Sequence, residues 1–281
     1  MFALMKNKAE STYNEVIKAI QDVWNTLGET CQIKRLHTDY EAAEQNAFAK
    51  LVGKDHVYGC LFHFSKACLK HLGMLGLYPY YQLKVDGKYA PEYLSIRIYI
   101  RCLLALPCLP KEDAQWLWKL LRNPPKAPND EIYWPSKLLE DFLSYYESTW
   151  INKKDNTWTF FKLGRVRNTN GAESFHSAQA KTNYSKPRLA QFLVRRRLLA
   201  ESVNVRLRKL EKSGTRVKPQ NRQYDQVRKR IQAMELEYEE RRETYTSDHE
   251  RAVAMMRFAR QIASTIHGDD LFLMYPEGLN H

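Results

Sequence analysis

Several features of membrane, secreted and nucleotide-driven proteins are missing from this sequence. No apolar run approaches the ~20 residues that cross a bilayer, and the first residues lack the apolar core of a signal peptide, so we expect no membrane association. Five cysteines are an odd number and too few for a disulfide scaffold, which predicts a reducing compartment. Eleven glycines and eleven prolines exclude a collagen-like or low-complexity chain. Neither a Walker A motif nor a G-x-G-x-x-G fingerprint occurs.

Apolar residues and positive charge are what the sequence does contain. Hydrophobic residues make up 44% of the chain, which is enough for a folded core. The net charge is +12, and between positions 186 and 242 there are 17 basic residues against 7 acidic ones. Such charge on helices can neutralise DNA phosphates. The alternative is a solvated helix face, since Glu235, Glu237, Glu239 and Glu240 are interleaved with the basic residues.

The hydrophobic spacing predicts alternating strands and helices in the first third of the chain. We expect strands at 2–5, 33–36 and 57–62, separated by helices at 12–24 and 40–51. A β-α-β-α-β order predicts an α/β sheet with a parallel portion. Residues 77–150 instead predict short helices broken by prolines, and two longer helices are expected at 188–210 and 224–262.

Aromatic residues are dense in the proline-broken segment. We interpret them as the core of a helical insertion, although exposed ones could stack on unpaired bases. The aromatic residues in question are Trp116, Trp118, Tyr145, Tyr146 and Trp150.

Two acidic residues are candidates for chemistry. Asp39 follows a predicted strand, at the edge where α/β sheets bind ligands. Its alternative role is local, because Thr38 and Glu41 match a helix capping box. Glu173 has a similar alternative, since Asn170 could cap a helix with Glu173 as its partner. Brought together, the two carboxylates could hold a hard divalent cation for phosphodiester chemistry.

Two C-x2-H pairs form a third constellation. Cys60 and His63 are followed by Cys68 and His71, which suggests zinc. We expect no zinc, because the first cysteine should lie in a strand and the second in a helix, where small thiols serve as apolar filler. His63 is instead expected close to Asp39, because both residues follow adjacent strands.

An apolar stripe follows the last predicted helix at heptad-like spacing. It comprises Val227, Ile231, Met234, Tyr238 and Tyr245. Because Arg241 interrupts it, we favour packing onto the body of the protein over dimerisation, although a homo-oligomer stays open.

Four stretches, taken in order, resemble the transposase domain of Mutator-like elements. They are residues 2–13 (FALMKNKAESTY), 38–43 (TDYEAA), 59–64 (GCLFHF) and 168–176 (NTNGAESFH). The resemblance implies a ribonuclease-H-like mixed sheet of the α/β class, with a helical insertion and a helical C-terminal extension. It divides the chain into a first core part (1–76), the insertion (77–165), core helices carrying the Glu (166–212) and a basic, charged helical extension (213–281).

The family's activity is metal-dependent DNA cleavage and strand transfer by an Asp-Asp-Glu triad. The resemblance implies that Asp39 is the second Asp and Glu173 the Glu, both binding Mg²⁺ or Mn²⁺. It also places Cys60 and His63 on the family's C-x2-H element. The implied partner is double-stranded DNA at element ends, in the nucleus. The expected DNA-binding residues are Arg188, Arg195, Arg196, Arg197, Arg206, Arg208 and Lys209.

The family's first Asp has no counterpart in this sequence. It precedes the Phe-Ala-Leu-Met run, which here begins at Phe2. We therefore expect an N-terminally truncated domain that is inactive as it stands. A truncated gene model, a decayed element copy and a fragment kept for another role each explain the loss. The alternative function is a non-catalytic nuclear module that binds DNA or another protein.

Overall fold

Helices dominate the computed structural model. It describes Ala3 and residues 5–85, 88–153, 157–163, 188–213 and 222–267. The α-helices are α1 (Glu10–Leu27), α2 (Ala42–Val52), α3 (Leu61–Met74), α4 (Tyr78–Gln82), α5 (Leu94–Ala105), α6 (Lys111–Leu121), α7 (Ser136–Tyr146), α8 (Leu189–Ser213), α9 (Arg222–Arg242) and α10 (Asp248–His267). Short 3₁₀ turns cover Lys54–His56, Pro91–Tyr93 and Leu106–Cys108, and a π-helical turn at Glu147–Ile151 continues α7. Among the described helices, none has the length and apolar character that would carry it across a bilayer.

The first helix and its neighbour agree with the sequence pattern. Helix α1 ends at Gly28, whose φ of 67° suits a residue without a Cβ. It packs against α2, where Lys50 Nζ lies 2.7 Å from Glu10 Oε1. The helices predicted at 12–24 and 40–51 are therefore confirmed.

A small β-α-β unit joins α2 to the rest of the molecule. Strand β1 (Leu36–His37) pairs in parallel with β2 (Val57–Tyr58), and α2 crosses between them. The backbone N–H of Thr38 extends the ladder by donating to the carbonyl of Tyr58 at 2.9 Å. A parallel pair was predicted, and its two strands end at one edge.

The predicted ribonuclease-H-like mixed sheet is wrong. The described strands are each two residues long and form only two pairs. Strand β1 pairs with β2, and β3 (Lys84–Val85) pairs in antiparallel with β4 (Lys88–Tyr89). Ala3 and Met5 are not in a strand, and Phe2 and Leu4 lie outside the described residues.

The strand predicted at 57–62 stops early because its apolar residues continue at helical spacing. Leu61, Phe64, Cys68 and Leu72 are all buried, which is the 3-and-4 repeat of one helix face. Helix α3 therefore begins at Leu61. A short apolar run does not distinguish a strand from the start of a buried helix.

The hydrophobic core joins α3 to the insertion helices and to α9 and α10. Every residue of α5 from Ile96 to Ala105 is buried, including Arg97 and Arg101, so α5 is a central helix surrounded by protein. The insertion aromatics predicted as core are confirmed: Trp118, Tyr146 and Trp150 are buried, and Trp116 and Tyr145 pack against them half-buried.

The last predicted helix is two helices. A break at 243–247 separates α9 from α10. The N–H of Glu250 donates to the Ser247 hydroxyl at 3.2 Å, and the Glu250 carboxylate accepts from the Thr246 N–H at 2.9 Å. This reciprocal capping starts α10.

The apolar stripe of α9 packs inward. Its residues Ile231, Met234 and Tyr238 are buried in the shared core, whereas Val227 is exposed. Packing onto the body is therefore confirmed for these three residues, and dimerisation stays untested. Tyr238 also donates to the buried carboxylate of Asp113 at 2.8 Å, which connects α9 to α6.

Candidate functional site

The candidate site lies where the two parallel strands end. Asp39 follows β1 by two residues, and His63 lies in the first turn of α3, just after β2. His63 Nδ1 is 3.0 Å from Asp39 Oδ1, and the side chains are 24% and 52% exposed. The expectation that His63 lies close to Asp39 is confirmed. We call Asp39 and His63, together with Glu41 and Glu44, the strand-end site.

The predicted capping box is not formed. Helix α2 begins at Ala42 with Glu41 as its N-cap, and no side chain caps it. Thr38 is buried and its hydroxyl has no hydrogen-bond partner among the described residues. Gln45 instead steadies the loop by donating from Nε2 to the backbone carbonyl of Asp39 at 3.0 Å. A helix capping box therefore does not explain the residues around Asp39.

Glu41 turns away from the helix start and binds groups next to α1. Its carboxylate contacts Lys8 Nζ at 2.8 Å and accepts a hydrogen bond from the Tyr13 hydroxyl at 2.9 Å. The hydrogen bond from Lys8 lowers the pKa of Glu41. The pKa of Tyr13 is raised to about 12, mainly by burial and secondly by its hydrogen bond to Glu41.

Glu44 is a titratable residue of the site that the sequence did not reveal. Burial raises its pKa to about 7, and the neighbouring charges of Asp39 and Glu41 add to this effect. Its position on α2 carries no motif. It lies on α2, the helix that packs against α1.

The two residues of the C-x2-H element have different surroundings. Cys60 is fully buried as the N-cap of α3, whereas His63 reaches the surface and Asp39. Cys68 is also buried, which raises the pKa of its thiol, and the ring of His71 stacks on Tyr145 with centroids 3.7 Å apart. Cys60 had been expected in a strand, and that detail is wrong.

The described residues do not fit a metal site by themselves. Within them, no group of three or more His, Cys, Asp or Glu side chains converges in a way that could hold an ion. Mg²⁺ needs octahedral oxygen ligation, which Asp39 cannot supply alone. Glu173, the second predicted ligand, lies outside the described residues.

The predicted DNA-binding residues follow one long helix. Arg188 directly precedes α8, and the other six lie on it. No residue of α8 is buried. Arg195 and Arg196 are half-buried, whereas Arg188, Arg197, Arg206, Arg208 and Lys209 are exposed.

Local contacts hold parts of this basic surface. Arg197 Nε lies 3.2 Å from Glu201 Oε1 one turn on, and the guanidinium of Arg196 lies 4.6 Å from the Phe192 ring centroid. The surface stays positively charged despite these contacts, because residues 188–213 include eight basic residues and only two acidic ones.

Comparisons with protein-family models, with curated proteins and with solved structures found no match.

Proposed function

We propose that this chain is a nuclear DNA-binding protein derived from a Mutator-like transposase, and that α8 holds double-stranded DNA by its phosphates. The single observation that carries the proposal is α8 itself. It is a 25-residue helix without a buried residue, and it carries seven basic against two acidic side chains. The resemblance of four ordered stretches supplies the transposase origin.

The dimensions of α8 suit the proposed partner. At 1.5 Å per residue a helix of this length is about 37 Å long, close to one turn of duplex DNA. Contacts from arginine and lysine to phosphate are independent of base sequence. We therefore propose backbone binding and leave the choice of sequence to other contacts.

Binding without cleavage is the form of this function that we favour. The strand-end site presents Asp39, Glu41 and Glu44, and among the described residues no three ligands converge there. The second candidate is metal-dependent DNA cleavage that uses Asp39 and Glu173 with Mg²⁺ or Mn²⁺. The observation that favours it is the Asp39–His63 contact, since the resemblance assigns both residues to the site.

A charge-matched pair of variants tests the proposal. The triple variant Arg195→Gln, Arg196→Gln, Arg197→Gln removes three charges from α8. The control Lys18→Gln, Lys34→Gln, Lys54→Gln removes three exposed charges from the N-terminal part. Fluorescence anisotropy with a labelled 30-base-pair duplex should show a loss of at least about tenfold in affinity for the first variant only. Equal losses in both variants would mean that net charge, and not α8, drives binding.

A further inference from the structure

The first turn of α3 exposes an aromatic ring next to the strand-end site. Phe62 is 46% exposed and is the one exposed phenylalanine among the residues that the structure describes. Its ring centroid is 5.5 Å from that of His63, which also contacts Asp39. Burying a phenylalanine stabilises a fold by roughly 1.5–3 kcal/mol, so leaving one exposed forgoes that gain.

The exposure follows from the phase of the helix. The buried face of α3 is set by Leu61, Phe64, Cys68 and Leu72. Phe62 falls on the outer face, one turn before Lys66 and two turns before Lys70, which are both exposed. Lys66 Nζ lies 5.8 Å from the centroid of the Phe62 ring. Helix α3 contains no acidic residue, so this outer face is uniformly neutral or basic.

We infer that Phe62, with Lys66 and Lys70 beside it, stacks on an unpaired base of the bound DNA. An exposed ring accepts any base on its π-face, and a neighbouring lysine neutralises the phosphate of the stacked nucleotide. A protein partner would bury an apolar patch, whereas here the ring is bordered by cations on the same helix. This inference rests on the proposed DNA binding and adds a preference for distorted DNA.

The experiment compares two probes on the full chain. One is a paired duplex, and the other is the same duplex with a single unpaired adenine in its centre. The wild-type protein should bind the second probe on the order of tenfold more tightly. Phe62→Ala should abolish this preference and keep the affinity for the paired duplex. Phe62→Trp should retain the preference, because indole also stacks.

Met74→Ala is the control, since Met74 is an apolar residue at the other end of α3 that is more exposed than Phe62. It should leave the preference unchanged. Equal binding of both probes by the wild-type protein overturns this inference but not the proposed function. A preference for the unpaired adenine that survives in Phe62→Ala has the same consequence. Failure to bind either probe overturns the proposed function and this inference with it.

Discussion

His63 Nδ1 lies 3.0 Å from Asp39 Oδ1, although the two residues belong to different elements. The contact exists because β1 and β2 run in parallel and end at one edge, so the residues that follow them meet. The sequence order predicted this contact correctly, although the larger mixed sheet that was expected around it is not formed by the described residues. The strand-end site therefore has a framework of two short strands and the helices α2 and α3.

Gly59 is a position where a methyl group should unfold the site. A Cβ built there would lie 2.3 Å from the Thr157 carbonyl oxygen and 2.4 Å from Tyr40 Cζ, and the Gly59 N–H already donates to Thr157 at 2.7 Å. We expect Gly59→Ala to lower the free energy of unfolding by about 3 kcal/mol in urea denaturation.

Gly73 provides the control for that substitution. It lies in the last turn of α3, and a Cβ built there meets no atom within 4 Å, so Gly73→Ala should raise stability by roughly 0.5–1 kcal/mol. Similar effects of the two substitutions would contradict the packing described around Gly59.

Glu44 should make stability depend on pH. Its pKa rises from an ordinary 4.5 to about 7 in the folded protein, which therefore holds the proton more tightly than the unfolded chain does. The contribution of Glu44 to stability is therefore full below pH 4.5 and is lost as the pH rises through about 7. Glu44→Gln should remove the part of the pH dependence of unfolding free energy that comes from Glu44. The variant should therefore be more stable than the wild type at pH 8.

Asp39→Asn gives an independent test of the same site. Asp39 is one of the charges that raise the pKa of Glu44, so the variant should shift the pH-dependent loss to lower pH. Denaturation midpoints measured from pH 4 to pH 8 report both effects. Parallel profiles in the wild type and in Glu44→Gln would show that Glu44 is not the titrating group.

The contact between α6 and the C-terminal helices depends on Asp113. Its carboxylate is buried and lies 2.7 Å from Arg251 Nη2 and 3.3 Å from Arg242 Nη2, in addition to the bond from Tyr238. Asp113→Ala leaves these donors without their acceptor, and we expect a loss of about 3 kcal/mol in unfolding free energy.

A surface pair calibrates that result. Asp141 contacts Lys137 at 2.9 Å on the exposed face of α7. Asp141→Ala should have a much smaller effect than Asp113→Ala, because water screens the exposed pair. A loss for Asp113→Ala as small as that for Asp141→Ala would mean that the buried contact does not secure α9 and α10.

Cleavage can be separated from binding at Asp39. Because we propose binding without cleavage, we expect the wild-type chain with Mn²⁺ to nick a supercoiled plasmid no faster than Asp39→Asn does. Agarose electrophoresis of the relaxed product measures the rate. Nicking by the wild type that Asp39→Asn abolishes would favour the cleavage alternative instead.

Local patterns were sufficient for part of this fold. Helices α1 and α2 and the parallel pairing of β1 with β2 follow from apolar spacing and from Gly28. The same reasoning failed at Leu61, where a short apolar run begins a helix.

The rest depends on contacts between distant segments. The buried carboxylate of Asp113 is contacted by helices from elsewhere in the chain, and no spacing rule encodes these contacts or the raised pKa of Glu44. For the candidate site, sequence order predicted the meeting of Asp39 with His63. The predicted convergence of Asp39 with Glu173 stays a prediction, since Glu173 lies outside the described residues.

The salt dependence of duplex binding tests the central claim most directly. Log affinity plotted against log salt concentration should fall with a slope of about −0.9 for each phosphate neutralised, so the seven basic residues predicted around α8 set an upper limit near −6. We predict a slope between about −4 and −6 for the wild type, shallower by roughly 2–3 in the α8 triple variant. A wild-type slope near zero, or one that the triple variant leaves unchanged, would contradict phosphate binding by α8.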